Sequence, residues 1–298
     1  MIRNDIKLRS RYLATQEQVL ILLPDRLIGD SFSSAKHGCE PQKSGKLRVL
    51  WLLHGAMENY DTFLVSAGIE QTMQAYKDVM VVIPNALNSD YANHAEFANG
   101  YLFTDFFFRE LMPFIYRTFP ASDKREDNVI AGYSMGGAGA LMLGLHRPEL
   151  FCGIGALGAS VRPNDFLKPF LHMTGQEFRQ YAMEHRKELP TEFGDPEEGI
   201  KIKEINMICK YPTVRDYCNS MECTSLRFPE ALAAGNIPEI FLCAGDNDGC
   251  YQPVTEFYSE AVRLGMENIS YETIPGLDHM QAQPEAVRKM AEHYFHKT

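Results

Sequence analysis

Residues 128–145 read NVIAGYSMGGAGALMLGL: an apolar run passes without a break into Gly132-Tyr133-Ser134-Met135-Gly136-Gly137 and on into small apolar residues. Few backbones accept such a string. The run suits a buried strand, and the small residues after it suit a helix packed tightly on a sheet. Glycines on both sides of Ser134 allow strand and helix backbones to approach closely at the turn. A serine on such a turn projects from the sheet, with the positive end of the helix behind it. The G-x-S-x-G pattern therefore makes Ser134 a candidate nucleophile. A glycine-rich turn with an incidental serine is the plainer alternative, and the flanking strand and helix weigh against it.

The rest of the chain repeats the alternation. Apolar runs at 18–23, 47–53, 79–83, 152–157, 239–244 and 269–274 predict strands. Helical patterns are expected over 61–76, 105–119 (where Pro113 is a candidate kink), 254–264 and 285–295. Buried β-branched runs alternating with helices predict an α/β fold, a mostly parallel sheet with helices on both faces. The stretch 31–46 is rich in Ser, Gly, Pro and Lys and reads as a loop. Residues 160–235 are polar, rich in Met, Glu and Lys, and show no strand. They read as a helical, cap-like insertion within a single domain spanning 1–298.

A nucleophilic serine needs a base, an acid to orient it, and donors for a developing oxyanion. His279 lies in Gly276-Leu277-Asp278-His279, directly after the 269–274 strand, where a loop can reach the serine turn. His146 ends a helix, and His293 and His296 lie on a polar one. The run Ala244-Gly245-Asp246-Asn247-Asp248-Gly249 follows another strand and offers two carboxylates, Asp246 and Asp248, of which one can serve. A calcium-loop reading of that run fails, because Ala244 and Thr255 would fall at its first and last ligand positions. The oxyanion donors are expected to be the amides of Met135, next to the serine, and Ala56, in Leu53-His54-Gly55-Ala56 after an early strand. His54 reads as a structural residue that pins this loop. The aromatics Tyr101, Phe103, Phe106, Phe107 and Phe108 are either pocket lining or, more simply, the buried face of a helix.

Composition narrows the partners. With 39 acidic and 29 basic residues the net charge is −10, which gives no electrostatic reason to bind nucleic acid. Seven cysteines at irregular spacing contain no C-x-x-C pair, so no metal site is expected, and no organic cofactor either. Cys250, near Asp248, is a candidate for thiol regulation without further support. No apolar stretch is long enough to span a bilayer, and the first residues lack a signal-peptide core, so a cytoplasmic location is expected. The sequence leaves a homo-oligomer open and does not identify substrate-binding residues.

Three segments carry a family resemblance: WLLHGAMENYDTF (51–63), VVIPNA (81–86) and DNVIAGYSMGGAGAL (127–141). They resemble the α/β-hydrolase esterases that include tributyrin esterases, S-formylglutathione hydrolases and feruloyl or acetylxylan esterases. The likeness is greatest to the tributyrin-esterase branch and covers roughly 45–160 and 238–295. It implies a serine carboxylic-ester hydrolase, with Ser134, His279 and the Ala56 and Met135 amides in the roles already suggested. It also favours Asp248 over Asp246, because the family's acid lies three residues after a strand-ending glycine, here Gly245. Short-chain acyl esters or acylated carbohydrates are the implied substrates. Met280-Gln281 after the histidine departs from the family pattern, and so does the long 160–235 stretch.

Overall fold

The computed structural model describes residues 1–25, 45–96, 100–161, 164–190 and 199–295. The loop expected at 31–46 falls almost wholly outside the described residues, as do Cys39 and His296.

Eight strands form one sheet: β1 (Ile2–Arg9), β2 (Gln16–Leu23), β3 (Arg48–Leu53), β4 (Val79–Pro84), β5 (Asn128–Tyr133), β6 (Gly153–Leu157), β7 (Glu239–Gly245) and β8 (Ile269–Ile274). Their spatial order is β1-β2-β4-β3-β5-β6-β7-β8. Neighbours from β4 to β8 pair parallel, while β2 runs antiparallel to both β1 and β4. The central strands are apolar at nearly every position because both faces are covered. In β3, Val49, Trp51 and Leu53 point into one core, and Leu50 and Leu52 into the other.

The helices are α1 (Thr62–Ser66), α2 (Ile69–Met73), α3 (Phe103–Phe106), α4 (Met112–Thr118), α5 (Met135–His146), α6 (Gly175–Glu184), α7 (Ile202–Cys209), α8 (Val214–Cys218), α9 (Thr224–Ala234), α10 (Tyr251–Arg263) and α11 (Gln283–Tyr294). Residues of α1, α2 and α11 fill one face of the sheet, and residues of α3, α4, α5 and α10 fill the other. Between β6 and β7, residues of α6, α7 and α8 build a third core around Phe178, Ile205 and Tyr217. Helix α9 differs: its Phe228 is buried in the main core, 4.9 Å from the ring of Phe257.

Three local expectations change. The sequence suggested no strand before residue 18, yet β1 lies at the sheet edge with alternating half-buried and exposed residues. Only one face of it meets the protein, so its charged positions hid the pattern. The helix expected over 61–76 is split into α1 and α2 by Gly68, whose φ of 55° breaks the helical path. The helix expected over 105–119 is built of three joined pieces. A π turn at Phe107–Leu111 joins α3 to α4, and Pro113 falls in the first turn of α4, where a missing N–H costs little.

The aromatic run is core. Phe103, Phe106 and Phe107 are fully buried, with Phe107 5.4 Å from Trp51 and Phe103 5.1 Å from Tyr91.

Candidate active site

The parallel strands end together at one edge of the sheet, and the sequence-selected residues meet there. Ser134 joins β5 to α5 with φ 56° and ψ −120°, a backbone conformation that L residues rarely adopt. The strain is held by tight packing. A Cβ on Gly136 would collide with the Leu53 carbonyl, and one on Gly132 with the Gly136 carbonyl. Ser134 N–H donates to Leu157 O at 2.9 Å, which ties the turn to β6.

His279, in the loop after β8, has Nε2 2.9 Å from Ser134 Oγ. Its Nδ1 lies 2.8 Å from both Oδ1 and Oδ2 of Asp248. A carboxylate can only accept, so the ring proton belongs on Nδ1, and Nε2 is left to accept from the serine hydroxyl. The Asp248 side chain is fully buried, whereas the His279 ring is about a quarter exposed. Asp246 points elsewhere. It is exposed, and its Oδ1 accepts from Gly276 N–H at 2.6 Å, bracing the turn that carries His279.

The loop after β3 is committed amide by amide. Gly55 N–H donates to Glu58 Oε2 at 2.6 Å, and Met57 N–H donates to Asn88 Oδ1 at 2.7 Å. Among the described residues, no acceptor pairs with the N–H of Ala56 between them, or with that of Met135 at the first turn of α5. His54 is fully buried; its Nδ1 lies 2.8 Å from Gly55 O, and its Nε2 accepts from Ala86 N–H at 2.9 Å. It thus joins the loops after β3 and β4. Burial lowers its pKa to about 4, so the ring is neutral.

Known proteins resemble this chain in sequence and in fold. The family model described as "Putative esterase" matches residues 34–202, more than half of the chain. The chain belongs to this esterase family. An acetyl esterase of Caldicellulosiruptor saccharolyticus is 38% identical over 118 residues, 40% of this chain and 43% of that one. The match therefore spans less than half of that relative. The fluorophosphonate-binding serine hydrolase F of Staphylococcus aureus has a TM-score of 0.70 at 22% identity, over 98% of each chain. An S-formylglutathione hydrolase of Agrobacterium tumefaciens has a TM-score of 0.70 at 14% identity, over 98% of this chain and 94% of that one. A ferulic acid esterase has a TM-score of 0.66 at 18% identity, over 99% and 98%. At such identities the likeness is one of fold, and that fold is the α/β hydrolase.

Some residues of the family member's site carried no signal in the sequence. The Tyr133 hydroxyl donates to the backbone carbonyl of His279, and its ring lies 5.2 Å from the imidazole. Tyr133 is only the variable position of G-x-S-x-G, so the motif does not predict this link. Gln283, fully buried at the start of α11, donates to Glu58 Oε1 at 3.2 Å and so reaches the loop after β3 from the far end of the chain. Asp248, Cys250 and His279 bring potential metal-ligand atoms within 4.8 Å of one another. A cation there would compete for the carboxylate and the Nδ1 that already bond each other. No helix among the described residues is long and apolar enough to cross a membrane.

Proposed function

We propose that the chain is a serine carboxylic-ester hydrolase that works through an acyl-enzyme. The observation that carries this reading is the unbroken path from Ser134 Oγ through the His279 ring to the buried Asp248 carboxylate. His279 Nε2 takes the hydroxyl proton as Ser134 Oγ attacks the ester carbonyl carbon. Asp248 holds the tautomer and stabilises the imidazolium that forms. The Ala56 and Met135 amides receive the oxyanion, and the positive end of α5 adds to the stabilisation. The carbon–oxygen bond to the alcohol then breaks, and His279 returns the proton to the leaving oxygen. Water, deprotonated by the same ring, releases the acid.

A short acyl chain is favoured. The Caldicellulosiruptor relative's description as an acetyl esterase points that way. Acylated carbohydrates are the second class the family resemblance suggests.

The test is Ser134→Ala. Hydrolysis of p-nitrophenyl acetate should fall by about 10⁴-fold or more, and labelling by a fluorophosphonate probe should disappear. A purified, folded Ser134→Ala protein that hydrolyses the ester at the parent rate would refute the mechanism.

A further inference from the structure

Seven large apolar side chains are exposed among the described residues, and three of them lie in loops at the candidate active-site edge of the sheet. Met57 is 91% exposed, Met280 62% and Leu87 47%. They come from the loops after β3, β8 and β4. Met57 follows Ala56, the proposed oxyanion donor, and Met280 follows His279, the proposed base. The bonds already described bring the three loops together. Met57 N–H reaches Asn88, the neighbour of Leu87, and Glu58 meets Gln283, three residues beyond Met280.

Two further observations show that these side chains are held outward. Met57 has φ 62° and Leu87 φ 50°, the left-handed region where glycine or asparagine would be less strained. Their exposure adds no core packing to offset that strain. Met280 is set by a closed turn, in which Asp278 Oδ1 accepts from Met280 N–H at 3.0 Å and from Gln281 N–H at 2.9 Å. The same bonds use up the Met57, Met280 and Gln281 amides. A sugar hydroxyl resting on this rim would find those donors occupied, whereas an alkyl chain needs only apolar contact.

We propose that Met57, Leu87 and Met280 form the binding surface for the alcohol half of the ester, and that this alcohol is apolar and alkyl in character. The inference rests on the esterase reading above and narrows it, setting an alkyl alcohol above a carbohydrate. The leaving oxygen must lie at His279 Nε2 to receive its proton, and Met280 is the next residue of the same loop. Unbranched methionines suit an occupant of variable shape.

The experiment is an acetate series with methyl, propyl and hexyl alcohols plus acetylated xylose, using acid release as the readout. In the parent protein, kcat/KM should rise by about two- to three-fold per methylene, somewhat under full burial of a CH₂ because the rim is open. In Met280→Gln and Leu87→Asn the hexyl-to-methyl ratio should fall by about five-fold or more, chiefly through KM. Val262→Ser, an exposed change on α10 away from the rim, should leave the ratio unaltered. A parent that labels with fluorophosphonate but shows no dependence on alcohol length, or prefers acetylated xylose, overturns the rim and leaves the esterase reading standing. So does an undiminished ratio in both rim variants. A parent that neither labels nor hydrolyses any ester overturns both.

Discussion

Asp246 and Asp248 are two residues apart, but their surroundings differ in kind. Asp248 is buried with both oxygens 2.8 Å from the His279 ring, and Oδ1 also accepts from Cys250 N–H at 2.8 Å. Asp246 is exposed and caps one backbone amide. Asp248→Asn should therefore lower kcat by about 10³–10⁴-fold, because an amide cannot hold the same imidazole tautomer. Asp246→Asn should cost less than about ten-fold, through a looser Gly276 turn. Steady-state kinetics on p-nitrophenyl acetate compares the two, and a larger loss from the Asp246 change would reverse the assignment. The chain places both carboxylates after one strand, and before folding only the family's spacing from the strand-ending Gly245 favours Asp248. What separates them is which one faces a histidine 31 positions further on.

At the scale of elements, the junction of β3, β5 and α5 sets the tolerances of the site. Gly136 lies where α5 starts, against the Leu53 and His54 carbonyls, and has no room for a methyl group. Gly136→Ala should destabilise the fold by about 3 kcal/mol or more, since the clash is with backbone and not with a movable side chain. A urea titration followed by circular dichroism measures this; an unchanged midpoint would mean that the junction is looser than described. This junction was legible in the sequence, because close approach leaves glycines and small residues at fixed offsets. The edge strand β1 was not legible, and neither was the break at Gly68. One-sided burial and a single left-handed residue leave only a faint periodic trace.

Across the whole molecule, the buried His54 ring links folding to pH. Its pKa is about 4 in the fold, against about 6.5 in an unfolded chain. Between those values the unfolded chain binds a proton that the folded chain refuses. The contribution of this ring to stability is therefore full above pH 6.5, declines as pH falls from 6.5 towards 4, and levels off below. At about 1.4 kcal/mol per pKa unit, the decline is on the order of 3 kcal/mol. His54→Gln should flatten the curve of unfolding free energy against pH in that window; parallel curves for parent and variant would contradict the assignment. Local pattern alone determined the layered α/β architecture, the serine turn and the short set of residues able to serve it, because strand, turn and helix preferences act over a few neighbouring positions. The tertiary structure brought Asp248, which the resemblance favoured, and not Asp246 to the imidazole, and only it decided that, among the described residues, no acceptor pairs with the Ala56 amide while Gly55 and Met57 donate theirs. It alone placed the loops that carry Met57, Leu87 and Met280 at the same edge of the sheet. Those outcomes depend on distances between distant segments and on which hydrogen bonds are already taken, and neither quantity exists until the chain has folded.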